Sequence, residues 1–101
     1  MIEVKVDSAF KLNLEDMLSA VRGAGLVFLN NPNNPTATVH SAKAVANFVE
    51  RVRRISPDTV ILIDEAYVDF ADANALSLAR RPNVIVTRSL SKSYALAGLR
   101  F

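Results

Sequence analysis

The sequence predicts an α/β fold: a partial three-layer arrangement in which a parallel sheet of about four strands packs against helices. Three observations lead to this. Leu26–Leu29, Val60–Ile63 and Val84–Val86 are short continuous apolar runs, the pattern of strands buried on both faces. Stretches with helical apolar spacing lie between them. The connections are long enough to return each strand parallel to the last, by the right-handed crossover such units adopt.

The elements follow in order. Met1 to Val6 alternates Ile2, Val4 and Val6 with Glu3 and Lys5, which predicts a short strand near a sheet edge with one charged face. Asn13 is placed to cap a helix, with Glu15 and Asp16 in the first turn, where the helix dipole favours carboxylates. Leu14, Met17, Leu18 and Val21 form its apolar stripe, and Gly23 and Gly25 end it. After the first apolar run comes Asn30-Asn31-Pro32-Asn33-Asn34-Pro35-Thr36-Ala37. Two prolines and four asparagines continue neither helix nor strand, so this is a loop at the carboxyl end of the strand. Ser41 caps the next helix, in which Val45, Phe48, Val49, Val52 and Ile55 line one side while Lys43, Glu50, Arg51 and Arg54 face water. Ser56-Pro57-Asp58 stops it. The second apolar run leads into Asp64-Glu65-Ala66-Tyr67. Ala75 to Arg81 reads as a short helix broken by Pro82, and the third run leads into Thr87–Phe101.

Three helices, one of them short, scarcely cover both faces of a four-stranded sheet. The 101 residues are therefore expected to be part of a larger domain, or to bury a face against a partner. Composition excludes several functions. Twelve Lys and Arg against ten Asp and Glu leave a net charge of +2, and no basic run is interleaved with aromatics, so nothing points to nucleic acid. With no cysteine there are no disulfides, thiolate metal sites or cysteine nucleophiles. The single His40 makes no metal site by itself and is expected to be solvated near a helix start. No apolar run is long enough to span a bilayer, and Glu3, Lys5 and Asp7 interrupt any signal-like pattern at the start. These features lead to the expectation of a cytoplasmic protein without metal or membrane partners.

Chemistry concentrates in Thr87–Phe101. Lys92 is flanked by the hydroxyls of Ser89, Ser91 and Ser93, and Arg100 follows eight residues on. A lysine amine can form a Schiff base with an aldehyde. Hydroxyls and an arginine fork form a receptor for a phosphate dianion. A molecule that is both aldehyde and phosphate suggests pyridoxal phosphate, although the stretch alone also describes a solvated surface lysine. Two further segments fall at the carboxyl ends of strands, where α/β sheets bind ligands. Asp64 can hold a pyridine nitrogen protonated, or cap a turn. Asn34 and Tyr67 can hydrogen-bond a ring oxygen, or serve turn formation and packing.

Together, Asn-Asn-Pro-Asn-Asn-Pro-Thr, Ile-Asp-Glu-Ala-Tyr-Val-Asp-Phe and Arg-Ser-Leu-Ser-Lys-Ser-Tyr-Ala-Leu-Ala-Gly-Leu-Arg resemble the fold-type I pyridoxal-phosphate aminotransferases and, within them, the histidinol-phosphate aminotransferases. The motifs stand in the family's order and at similar separations. The resemblance covers nearly the whole chain and only a part of a family member's length. It implies that residues 1–101 are an incomplete large, cofactor-binding domain without the small substrate domain. It assigns Lys92 to the Schiff base and to proton transfer, Asp64 to the pyridinium nitrogen, Tyr67 and Asn34 to the 3-oxygen, and Ser89, Ser91 and Arg100 to the phosphate. It implies transamination between histidinol phosphate, or another amino acid or amino-alcohol phosphate, and 2-oxoglutarate in a homodimer with the site near the interface. A threonine-phosphate decarboxylase-like enzyme shares these motifs, and a truncated non-catalytic remnant is a reading from another class.

The sequence departs from the family pattern in two ways. Ala37 stands where the family usually has glycine after Asn-Pro-Thr. If that position has positive φ, alanine costs about 1 kcal/mol. The family's upstream phosphate-binding helix start, its ring-stacking aromatic and its substrate-carboxylate arginine have no counterpart in these residues.

Overall fold

Two short polar side chains start the two α-helices. Asn13 Oδ1 accepts from the Asp16 N–H at 3.1 Å and opens α1 (Leu14–Ala20). Ser41 Oγ accepts from the Ala44 N–H at 3.1 Å and opens α2 (Ala42–Ile55). Each satisfies a donor that a helix start leaves without an internal partner. Gly23, at φ 77°, turns the chain away from α1 through the left-handed region, where a Cβ would be strained. The apolar runs then form β1 (Leu26–Asn30), β2 (Val60–Asp64) and β3 (Val84–Thr87). They make one parallel sheet in the order β1-β2-β3, so β2 is paired on both sides. Single 3-10 turns occupy Val68–Phe70, Leu76–Arg80 and Ala97–Leu99. This computed structural model describes residues 1–99.

The strict alternation of the strands divides the sheet into two unlike faces. Val27 and Leu29, Ile61 and Ile63, and Val84 turn toward Val45, Phe48, Val49 and Val52 of α2 and toward Leu18 and Val21 beside α1. Ile61, Ile63, Leu29, Val49 and Val52 are fully buried. On the opposite face Leu26 is 57 % exposed, Phe28 55 % and Ile85 48 %. A bidentate Glu15–Arg51 pair joins α1 to α2, with Arg51 Nη2 donating to Glu15 Oε2 at 2.9 Å.

The structure corrects five expectations. Met1–Val6 is not a strand, so the sheet has three strands among the described residues rather than about four. Its apolar residues are used differently: Ile2 and Val4 line a cavity of about 600 Å³ with Leu12, Met17 and Phe28, instead of pairing with a neighbouring backbone. Strands expected to be buried on both faces are covered on one, because both helices pack on the same side. Ala75–Arg81 shortens to the 3-10 turn at Leu76–Arg80. Finally, His40 is half-buried rather than solvated: its Nε2 lies 2.8 Å from the Leu12 carbonyl oxygen and its N–H donates to Asn31 Oδ1 at 2.8 Å. The charged side of α2 is also more engaged than a solvated face, since Glu50 forms ion pairs with both Arg53 and Arg81.

Two predictions follow from this packing. Phe48→Ala removes the largest fully buried side chain and is expected to cost about 3–5 kcal/mol in urea unfolding at unchanged m-value; a loss below about 1 kcal/mol would contradict its place in the core. The second concerns pH. The hydrogen bond from Arg51 holds the Glu15 carboxyl below its ordinary range, opposed by desolvation and aided by the charge of Arg51. A carboxyl whose folded pKa is lowered adds stability that is present above the unfolded pKa and is lost as pH falls through the folded one. The stability gap between the natural chain and Glu15→Gln should therefore close on acidification. It should also shrink with added salt, because the pair is exposed. A gap that persists in acid would show that the ion pair is not its source.

Candidate functional site

Parallel pairing brings the ends of all three strands to one edge. The register sets Asn30 beside Asp64 and Asp64 beside Thr87, so a polar row closes a sheet whose preceding rows are apolar. In open parallel sheets this edge is where ligands bind. Asp64 Oδ1 accepts from Thr87 Oγ1 at 3.2 Å and from the Ala66 N–H at 3.1 Å. Its second oxygen accepts no hydrogen bond among the described residues. It is half-buried, so one carboxylate oxygen is anchored and the other is open.

The loop after β1 is held by its asparagines. Asn31 is buried, at 3 % exposure. Its amide donates to the His40 carbonyl at 3.0 Å and accepts from the His40 N–H at 2.8 Å, while its own N–H donates to the Asp64 carbonyl at 3.0 Å. Asn33 Nδ2 donates to Thr36 Oγ1 at 2.6 Å, and Thr36 and Thr38 hydroxyls meet at 2.9 Å. With its amide oriented to satisfy both groups, Asn30 donates to the Pro32 carbonyl at 2.8 Å and accepts from the Asn34 N–H at 3.2 Å. Both prolines follow cis peptide bonds. Asn34 is left exposed at the crest of the loop.

Asn34 and Tyr67 share a wall. A cavity of about 330 Å³ lies between the Asn/Pro loop and the turn after β2, lined by Pro32, Asn34, Ala37, Tyr67 and Phe70 among others. Tyr67 is half-buried, its ring 6.5 Å from that of Phe70. Lys92 Nζ lies 5.7 Å from the centre of the Tyr67 ring, within cation–π range. The turn that carries Lys92 is tied at each side to the segment that follows β2. Arg88 Nε donates to Glu65 Oε2 at 2.9 Å, and Ser93 Oγ donates to Asp69. Within the turn the Ser91 N–H donates to Ser89 Oγ at 3.0 Å.

Thus the structure sets Asn34 and Tyr67 on the wall of one cavity, brings Lys92 to the Tyr67 ring without making it part of that wall, and joins Asp64 to the lysine stretch through Thr87. Ser89 and Ser91 lie in the Lys92 turn and do not line that cavity among the described residues. Arg100 lies outside the described residues. The described residues hold no group of three His, Cys, Asp or Glu side chains placed to bind a metal ion, and no helix long and apolar enough to cross a membrane. Sequence reasoning missed Asn31, Glu65 and Arg88. For Glu65 and Arg88 a signal existed: each is the first residue past a strand end, and the register that pairs Asp64 with Thr87 sets them side by side.

Ala37 adopts φ 57°, in the left-handed region, and its N–H donates to the Asn33 carbonyl at 2.9 Å. The position therefore does require the conformation that glycine takes without strain. Ala37→Gly is expected to stabilise the chain by up to about 1 kcal/mol in urea unfolding; a destabilisation of that size would mean that alanine's contact with the cavity outweighs its backbone strain.

Comparison with known proteins places this geometry in context. The family model described as aminotransferase class I and II matches residues 1–101. The chain is 45 % identical over 95 residues to a histidinol-phosphate aminotransferase of Lactiplantibacillus plantarum, covering 88 % of this chain and 26 % of that protein. It is 44 % identical over 98 residues to histidinol-phosphate aminotransferase 1 of Pseudomonas fluorescens, covering 96 % and 26 %. With the Methanocorpusculum labreanum histidinol-phosphate aminotransferase the identity is 38 % over 100 residues, covering 99 % and 27 %. The chain thus spans about a quarter of the length of the curated relatives it matches. A crystal structure from Corynebacterium diphtheriae described as a PLP-dependent beta-cystathionase superposes with a TM-score of 0.73 at 23 % identity, over 95 % of this chain and 27 % of that one, and so shares the fold. By family and by fold, the chain belongs to the class I and II aminotransferases.

Proposed function

We propose that this chain is part of the large, cofactor-binding domain of a pyridoxal-phosphate-dependent aminotransferase that moves an amino group between histidinol phosphate and 2-oxoglutarate. Pyridoxal phosphate is the cofactor of the family to which the chain belongs. The observation that supports the reading best is that Tyr67, which lines one cavity with Asn34, also carries the Lys92 ammonium group against its ring, with Asp64 tethered to the same lysine stretch. The match to histidinol-phosphate aminotransferases at 38–45 % identity supports the substrate.

The side chains fit that cofactor. The open oxygen of Asp64 is the group to receive a protonated ring nitrogen, since its other oxygen is already fixed by Thr87 and Ala66. Tyr67 and Asn34 would donate to the ring's 3-oxygen from the cavity wall. Ser89 and Ser91 would hold the phosphate with Arg100, whose planar fork suits a dianion. When bound, pyridoxal phosphate supplies an aldehyde to take up the amino group and a ring to delocalise the electron pair left at the substrate's α-carbon. Lys92 would supply the amine that competes for that aldehyde, and its Nζ would be the base that takes the proton from the substrate's α-carbon and the acid that gives it up to the carbon that had carried the aldehyde oxygen. Asp64 would hold the proton on the ring nitrogen. Tyr67 also limits where Nζ can sit, through the contact of its ring with the ammonium group. The working enzyme is a homodimer in this reading, with further cofactor and substrate contacts supplied from outside these residues.

Reduction with borohydride tests the reading directly. The full chain incubated with pyridoxal phosphate is expected to give a visible absorbance band and, after reduction and peptide mapping, an adduct on Lys92 that is lost in Lys92→Ala. An adduct spread over several lysines and unaffected by Lys92→Ala would reject the assignment. These 101 residues alone are expected to give no measurable glutamate formation from histidinol phosphate and 2-oxoglutarate, because they supply only part of the substrate pocket in this reading; a clear rate would overturn that part.

A further inference from the structure

Glu65 follows Asp64 directly, yet it faces the other way and is 1 % exposed. All of its polar groups are engaged. Its N–H donates to the Thr87 carbonyl at 2.8 Å and its carbonyl accepts from the Val68 N–H at 3.1 Å. Glu65 Oε1 accepts from the Ala75 N–H, and Oε2 accepts from Arg88 Nε at 2.9 Å. Three segments meet on this side chain: the end of β2, the loop that reaches Ala75, and the start of the lysine stretch. The residues of the proposed site flank the same points. Asp64 and Tyr67 bracket Glu65, while Ser89 to Lys92 follow Arg88.

A buried carboxylate is costly unless it is both charge-paired and hydrogen-bonded. As a device for stability alone an apolar residue would serve as well, and the better-attested use of a buried pair is to fix one geometry. The other ties between these segments, Thr87 to Asp64 and Ser93 to Asp69, are exposed and compete with water. The charged link at Glu65, whose carboxylate end is buried, is better shielded from exchange for solvent than either of them.

We propose that Glu65, acting through Arg88, is a positioning residue of the cofactor site: it holds the Ser89–Lys92 segment in register with Asp64 and Tyr67. The chemistry of this inference rests on the cofactor reading above; the holding itself is a property of the chain and is measurable without cofactor. Glu65 touches neither cofactor nor substrate in this role. Its effect reaches the site through the Arg88 backbone and the Ala75 loop.

The test uses the full chain with Glu65→Gln, Arg88→Gln and Arg88→Lys, and with Glu50→Gln as a control that breaks ion pairs to Arg53 and Arg81 instead. Amide hydrogen exchange is followed at Glu65, Ala75 and Ser91, each hydrogen-bonded within this knot, and at Leu29 and Ile63 in the strands. Glu65→Gln and Arg88→Gln are expected to speed exchange at the first three by about tenfold or more while leaving the strand amides slow. Arg88→Lys should recover part of the protection, and Glu50→Gln should change none of it. In the presence of pyridoxal phosphate the two neutralising variants should also lower the borohydride-trapped yield on Lys92 and move the pH at which the visible band titrates, whereas Glu50→Gln should not. If Glu65→Gln does not fold, the Arg88 variants decide, because that side chain is 40 % exposed and its loss leaves the core intact. Unchanged exchange at Ala75 and Ser91, or an equal rise in the strands, would overturn the positioning role. Absence of any Lys92 adduct in the natural chain would instead reject the cofactor reading, and the exchange data alone would then decide whether Glu65 holds the segment.

Discussion

Every residue of chemical interest lies where it does because β1, β2 and β3 run parallel and end level. Parallel strands need long crossovers, and those crossovers are α2 and the chain from Val68 to Asn83. Both return the chain to the same starting edge, so all three strand ends emerge at the opposite edge. The register pairs Asn30, Asp64 and Thr87 in one row. An offset of one residue would turn Asp64 toward α2 and Glu65 toward the site, because side chains alternate faces along a strand. The apolar pattern on the α2 side prevents that slip: Ile61 and Ile63 are fully buried, and moving them out would expose both.

Beyond the strand ends, order comes from polar side chains rather than from packing. The Asn/Pro loop has no regular backbone ladder, and Asn31 substitutes for one by pairing with both backbone groups of His40. The hydroxyls of Thr36 and Thr38 extend the chain of bonds to the Phe10 carbonyl, so the segment before α1 is also tied to this loop. Strain at Ala37 is tolerated because its neighbours are fixed: the Asn33 N–H donates to the Thr38 carbonyl at 2.8 Å across it.

The strands and helices were legible in the sequence where hydrophobicity alone decides them. The apolar runs of β1, β2 and β3 and the stripe of α2 admit one reading, and each strand merely gains the polar residue that follows its run. Met1–Val6 has an equally clear alternation and is not a strand. Alternation says that one side is buried, and not whether a neighbouring backbone is in place to pair with it. Motif order marks Asn34, Asp64, Tyr67 and Lys92 as candidates, whereas the Glu65–Arg88 link does not follow from it, because that link depends on register between segments over twenty residues apart. His40 was misjudged for the same reason: its partner, Leu12, is distant in sequence.

The uncovered face of the sheet bears on the site through Asp64, which points to the same side. Phe28, Leu62 and Ile85 form the row next to Asn30, Asp64 and Thr87 and point to the same side. Along a strand, residues on one side repeat about every 7 Å. Any layer of protein that dries Phe28 and Ile85 therefore also comes within one pleat of the Asp64 carboxylate. Drying strengthens a charge pair at Asp64 and penalises an unpaired charge there. Closing the hydrophobic layer and setting the electrostatic strength of the site are, at this edge, one and the same event.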